Sequence, residues 1–285
     1  MCLSFDFDAL CGTIVESDNP GTISGGEFSA VAIPRILALL ARHGVPATFF
    51  VPGHTALAYP HLVREIRDAG HEIGHHGWVH ENPALFDIEG ERRNFERALE
   101  ALDEVAGVRP VGYRSPSGQF SVNSIGVSLE YGMSYESTFL GSDFHPYYLR
   151  VGDRWSTTEP YVFGEPSDLV ELPFSWILDD WPHFDFHSAS ATGLAAPSAV
   201  REIWQGEFDY AYANCPGGVY VLCLHPEVIG RGHRIAMFDE LVSYMKDQPG
   251  VAFERGAEYV ERWRAANPLD EWNERGSVHA PHLLP

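Results

Sequence analysis

Short apolar runs alternate with helix-patterned stretches along most of this chain, and that alternation limits the folds open to it. Residues 2–7 (CLSFDF) read as a buried strand ending in acidic residues, and residues 47–51 (ATFFV) as a short strand bounded by Pro46 and Pro52. Between them Ile33, Ile36, Leu37 and Leu40 recur at helical spacing. Pro34 suits the first turn of that helix, where its missing N–H costs nothing, and Gly44 suits its end. Pro60 to Asp68 reads as a helix stopped by Gly70, with a strand at 71–74. Phe95, Leu99, Leu102 and Val105 mark a helix before the strand-like 111–114. Further strands are expected at 169–173, 219–224 and 251–253. Helices are expected at 197–212, along Ile235, Phe238, Leu241 and Met245, and near 257–264. Such alternation builds βα units and a parallel sheet.

Two parallel architectures compete. An open doubly wound sheet usually carries GxGxxG after its first strand, and this chain has none there. Its polar residues fall instead at the C-terminal ends of several strands: Asp6 and Asp8, His75 and His76, Arg114, Asp179 and Asp180, and His225. Chemistry shared among many strand ends is the habit of a barrel. The expected fold class is therefore α/β, a distorted (β/α) barrel forming a single domain over 1–266. Residues 131–168 lack periodicity and read as loops over one mouth, and 267–285 as an extended C-terminal tail. A hydrophobic share of 45% supplies core enough for one such domain.

The charge balance narrows the function. With 19 basic against 40 acidic residues, a net of −21, the surface repels phosphate backbones and anionic lipid. No nucleic acid and no membrane is expected as a partner, since no apolar run approaches a span of roughly 18 residues. Cys2, Cys11, Cys215 and Cys223 form no CxxC pair and read as free thiols. Without a signal-peptide pattern, a cytoplasmic location is expected.

The densest chemical signal is residues 70–83 (GHEIGHHGWVHENP), which hold four histidines. His76 and His80 are four apart, a spacing that lets two imidazoles reach one metal ion, and His71 and His75 share it. His71 sits in the strand-like part, where that spacing makes no chelating face; His76 ends the strand and His80 follows in the turn. A histidine pair alone is as well explained by packing. In an extended strand, however, Asp6 and Asp8 point the same way, and two carboxylates together at the end of a buried strand are costly unless a cation or another partner compensates; taken alone, a helix N-cap and a turn aspartate would also account for them. An Asp/His/His site with an open position for water and substrate is the better account, and such sites are catalytic.

Five ordered segments then carry a resemblance: residues 5–8 (FDFD), 76–80 (HGWVH), 114–118 (RSPSG), 179–181 (DDW) and 222–225 (LCLH). In this order they resemble the motifs of the polysaccharide deacetylases, carbohydrate esterase family 4. The resemblance implies a distorted (β/α) barrel and hydrolysis of a non-peptide C–N bond, foremost de-N-acetylation of N-acetyl amino sugars in a polysaccharide or peptidoglycan. It implies Asp6 as general base, Asp8, His76 and His80 as ligands of a divalent metal, and Arg114 as the partner orienting Asp6. The metal implied is zinc, with Co2+, Ni2+ or Mn2+ as alternatives. Asp180 falls on the fourth motif with Trp181 beside it, and Asp179 is an adjacent contender. His225 is implied as general acid, Leu222 as lining the acyl pocket, and Ser117 as supplying a backbone N–H to the oxyanion. The first motif departs from the family's adjacent aspartates, being split by Phe7, and Ser117 stands where an aromatic is common. Residues 143–150 and 224–233 resemble a branch that also holds cyclic imide and allantoin hydrolases, so a small ring substrate is the alternative to a glycan. A homo-oligomer accords with that branch, and a binding protein with a decayed site is the rival from another class.

Two further features admit bland accounts. His183 and His187 flank a second candidate metal site or simply an exposed loop. Tyr147, Tyr148, Trp155, Tyr161 and Phe163 would stack on a sugar or pack a loop-rich segment.

Overall fold

The computed structural model describes residues 1–185 and 193–274. Eight strands form one curled sheet in the order β6-β7-β5-β4-β3-β2-β1-β8. They are β1 (Cys2–Asp6), β2 (Thr48–Val51), β3 (Glu72–His75), β4 (Gly112–Tyr113), β5 (Tyr135–Glu136), β6 (Tyr147–Val151), β7 (Glu165–Glu171) and β8 (Val221–Leu224). All neighbours are parallel except β6 and β7. The sheet with its helices is a half-closed, distorted (β/α) barrel, as the strand-end chemistry suggested.

The period-two alternation of each strand sorts side chains into two cores. On β1, Leu3 and Phe5 join Phe49 and Val51 of β2 and Leu222 and Leu224 of β8 in the core beneath the helices. The opposite face points into the barrel, where Cys2, Phe50 and Val221 pack with Tyr135, Tyr147 and Tyr148. Ser4, Asp6 and Cys223 lie on this inner face, so the polar residues of the first and last motifs meet inside the barrel.

Most expected elements are present, with instructive differences. The helix Ser29–His43 ends as anticipated at Gly44, whose φ of 63° suits a residue without Cβ. It begins earlier than the apolar stripe implied, so Pro34 lies in its second turn, not its first. The helical stretch Pro20–His43 is apolar and long enough by composition to cross a membrane. Here it is three successive segments, and Ala32, Ile33, Ile36 and Leu40 are fully buried in the core. Residues 131–168, expected as loops, contain β5, β6 and the start of β7. Residues 251–253 form no strand; the Met1 ammonium donates to Ala252 O and Glu254 N donates to Met1 O. Within the expected tail, Leu269–Glu274 is a helix whose Trp272 packs against Tyr148 and Trp263.

Candidate active site

Strand ends converge on a cavity of about 250 Å³. Asp6 closes β1, and Asp8 follows it on the same side while Phe7 turns into the helix-facing core. Their carboxylates are buried at 4% and 1% exposure, so each depends on specific partners. Asp6 Oδ1 accepts from Arg114 Nη1 at 2.7 Å. All three nitrogens of that guanidinium are engaged: Nη1 also donates to Ser4 Oγ, Nε to Ser137 O and Nη2 to Ser137 Oγ. Burial pushes the Asp6 carboxyl up, but Arg114, His76 and His225 outweigh it and hold Asp6 below the usual carboxylate range.

The histidines are delivered by a turn, not a helix. His76 follows β3 directly; Gly77 (φ 71°) and His80 (φ 61°) then bend the chain back over the cavity. Glu81 holds this bend by accepting from Trp78 N at 3.0 Å and Val79 N at 2.6 Å. His76 Nδ1 donates to Arg114 O at 2.7 Å, which leaves its Nε2 lone pair facing Asp8 Oδ1 at 3.3 Å. His80 Nε2 lies 3.4 Å from Asp8 Oδ2. The other pair is committed elsewhere. His75 donates to Phe95 O, stacks on the Phe95 ring and is pushed down by burial to about 3, so it stays neutral. His71 Nδ1 accepts from Ala47 N.

Asp8, His76 and His80 present one ligand atom each within 4.8 Å of one another. Asp8 Oδ1 and His76 Nε2 are buried and lack a hydrogen-bond partner among the described residues. Two such orphans are costly unless a cation satisfies both. A carboxylate, two imidazoles and an open side fit a divalent metal of the zinc type.

Across the cavity, Asp180 accepts from both His225 N (3.0 Å) and His225 Nδ1 (2.7 Å). Asp179 caps the following helix through Trp181 N and stands 3.8 Å from His225 Nδ1, so Asp180 is the direct partner. Burial disfavours charge on His225, yet Asp179 and Asp180 raise it well above the ordinary histidine value. Its Nε2 points inward, 3.8 Å from Asp8 Oδ2 and 4.0 Å from Asp6 Oδ2. Asp179 is itself raised to about 7 by burial. Trp181 meets His225 edge to face at 5.0 Å, and Ser117, at φ 53°, lines the cavity with Trp176 and Phe174.

One sequence assignment is corrected: Leu222 does not line this cavity. The pleat of β8 turns Leu222 into the helix-facing core and brings Cys223 inside instead. The Cys223 thiol donates to Asp6 Oδ2 at 3.5 Å and accepts from Arg114 Nη1 at 3.4 Å. Cys223, Glu81 and Ser137 were missed: Cys223 and Glu81 lie in or beside the motifs, but the inward face of one and the backbone-amide partners of the other are not written in the spacing, and Ser137 meets Arg114 only in the fold. Of the weaker candidates, His183 contacts Ile177 O, while His187 lies outside the described residues. Tyr147 and Tyr148 are buried, and Trp155, Tyr161 and Phe163 are exposed away from the cavity.

Comparison with known proteins agrees with this geometry. The polysaccharide deacetylase domain profile matches residues 25–135. A peptidoglycan deacetylase of Helicobacter pylori is 32% identical over 279 residues, covering 92% of this chain and 95% of its own. A solved Mycobacterium smegmatis structure, assigned by name to the polysaccharide deacetylases, superposes with a TM-score of 0.81 at 36% identity, covering 93% and 90%. The structure of Puue allantoinase shares the fold, with a TM-score of 0.75 at 22% identity over 94% and 90%. The chain belongs to the polysaccharide deacetylase family, enzymes that hydrolyse carbon–nitrogen bonds other than peptide bonds.

Proposed function

We propose that this enzyme is a metal-dependent de-N-acetylase of N-acetyl amino sugars, with a peptidoglycan or related glycan as substrate. The observation that carries the reading is the orphaned pair Asp8 Oδ1 and His76 Nε2, set between an Arg114-bound carboxylate and an Asp180-bound imidazole. The H. pylori relative, named for peptidoglycan deacetylation, supports the substrate class. Asp8, His76 and His80 would hold the ion, zinc by preference for this donor set. Bound there, it supplies Lewis acidity, drawing the pKa of water from about 15.7 toward 7 and polarising the amide carbonyl.

The protein's own groups do the rest. Asp6, kept ionised by Arg114, accepts the proton of the attacking water. Arg114 is fixed by Ser4 and Ser137, so it orients Asp6 from a set position. The backbone at Ser117 faces the developing oxyanion. His225, held cationic and oriented by Asp180, gives its proton to the departing nitrogen, which otherwise leaves as a poor amide anion. The products are a carboxylate and an amine.

Acetate release from N-acetylglucosamine oligomers, by protein loaded with Zn2+ and by protein stripped with chelator, tests this directly. Release by the loaded form alone is expected. Ring opening of succinimide-type compounds, with no acetate release, would move the substrate to the cyclic imides. Equal activity in stripped protein would overturn the metal requirement.

A further inference from the structure

The charges around the cavity are unevenly compensated. Arg114 neutralises Asp6, and the ligand set of Asp8 is built to receive a cation. Glu16 has no such counterpart. It is exposed on the cavity rim, just beyond the short helix Cys11–Ile14, and makes no ion pair among the described residues. Arg114 is the one lysine or arginine among the described cavity-lining residues; it is 2% exposed, and its three nitrogens are already bound. Apart from His80, Asp179 and His225 at the reacting centre, the remaining wall is aromatic, with Trp176, Phe174 and Trp181, or small and neutral, as at Ser117 and Gly118. Gly118 carries the Trp176 ring so closely that a Cβ would stand 3.0 Å from it. The site's cations, His225 and the ion that Asp8, His76 and His80 would hold, sit against their own carboxylates at the reacting centre; a substrate carboxylate beside the amide would lose water, find no lysine or arginine among the described rim residues and face Glu16.

We propose that Glu16 is a specificity-determining residue, an electrostatic filter. It restricts the cavity to acyl amides whose neighbouring substituents are uncharged or cationic and turns away carriers with a carboxylate beside the amide. The inference rests on the deacetylase reading for its substrate and deepens it. Rejection comes from a like charge on a rim whose described residues offer no lysine or arginine, so it is graded and screened by salt. The amine product, cationic at neutral pH, meets the same rim favourably.

Two N-acetylglucosamine tetramers of equal size separate charge from bulk, one bearing a lactyl carboxamide at O3 and the other the free lactyl carboxylate. With Zn2+-loaded enzyme at low ionic strength, kcat/KM for the carboxylate is expected to be roughly tenfold below that for the carboxamide, as for one like charge within several ångströms. The ratio should close toward unity at about 1 M salt. Glu16→Gln should narrow it and Glu16→Lys invert it, whatever the absolute rates of these variants. Quenching of tryptophan fluorescence on titration with each tetramer gives the same comparison for binding alone. Equal kcat/KM and equal binding for the two tetramers in the wild type, or an unchanged ratio in Glu16→Lys, would overturn the filter. Preferential binding of the carboxamide without acetate release from either would keep the filter and overturn the deacetylase reading.

Discussion

Two pairs of buried carboxyls sit on this one sheet and are handled in opposite ways. Asp6 and Asp8, at the end of β1, are surrounded by Arg114, His76, His80 and His225. Burial pushes both upward, but those countercharges win, and both lie below the ordinary aspartate value. Glu136 of β5 and Glu171 of β7 stand directly opposite each other in register, fully buried. Here burial wins: Glu136 is raised to about 7, and Glu171, with the Glu136 charge beside it, well above its usual range. Each cluster leaves oxygens without a hydrogen-bond donor, Asp8 Oδ1 in one and the Oε2 atoms of Glu136 and Glu171 in the other. The neighbours of the orphan decide what fills the gap. Beside imidazole lone pairs it calls for a metal ion; beside another carboxyl oxygen it calls for a proton. The second pair has a mechanical task as well. Glu171 accepts from Thr138 N and Phe139 N, and Thr138 Oγ1 donates to Glu136 while accepting from Ser115 N. The two glutamates thus brace the turn whose Ser137 holds Arg114.

The largest effect should come from dividing the first pair. Asp6→Asn is expected to keep the metal and lose about 10²–10⁴-fold in kcat, the usual worth of a general base. Asp8→Asn should lose the metal as well as the activity. Elemental analysis alongside kinetics decides it, and the reverse outcome would exchange the two roles. His225→Ala should slow turnover by about 10²-fold or more, most for substrates with the most basic leaving nitrogen.

Metal binding should next separate the clusters. A ligand at about 100 times its Kd stabilises the folded state by about 2.7 kcal/mol, roughly 5–10 °C in Tm for a domain of this size. Differential scanning fluorimetry with and without Zn2+ should show that shift in the wild type and in Glu136→Gln, and none in Asp8→Asn. A shift that survives Asp8→Asn would place the ion elsewhere.

The smallest effect is in the pH dependence of stability, where the two pairs pull in opposite directions. The folded values of Asp6 and Asp8 are depressed, so their contribution is present above the unfolded aspartate value of about 3.9 and is lost as pH falls. Those of Glu136 and Glu171 are raised. Their contribution is full below the unfolded glutamate value of about 4.3 and declines as pH climbs through 7, by roughly 1–3 kcal/mol. Urea unfolding at pH 5 and pH 8 should show this decline in the wild type and a flatter profile in Glu136→Gln. An identical slope in the variant would mean that the pair does not hold its proton.

The same division of the sheet explains what the sequence made legible. β8, β2 and most of β1 are apolar runs buried on both faces, β3 is a short strand set between Gly70 and the histidines, and their order of alternation with helices was readable directly. β4 and the end of β7 were also read, at 111–114 and 169–173, whereas β5 has two residues, too short for any periodicity, and β6 pairs antiparallel with β7 within a stretch rich in turns. At the site, the histidine cluster and the split aspartates could be read because their spacing is local. Glu81, Ser137 and the Glu136–Glu171 brace could not, since their roles arise from partners far along the chain or from backbone amides. Leu222 was misplaced for a simpler reason: a motif position does not say which face of a strand it occupies, and the pleat gave the place to Cys223.

Ala9, His80 and Ser117 are non-glycine residues in the left-handed region, at φ 51°, 61° and 53°, on three segments that meet at the cavity. Each such torsion costs on the order of 1–3 kcal/mol and persists only where surrounding contacts over-determine it. The site is therefore a tensioned assembly on a relaxed scaffold, and its residues cannot be transplanted as motifs. Grafted onto unstrained loops, the same side chains would relax away from one another. Consensus stabilisation that eased these three torsions would trade turnover for robustness. Change in specificity has an easier route through rim positions such as Glu16 and Trp176, which lie outside that tension.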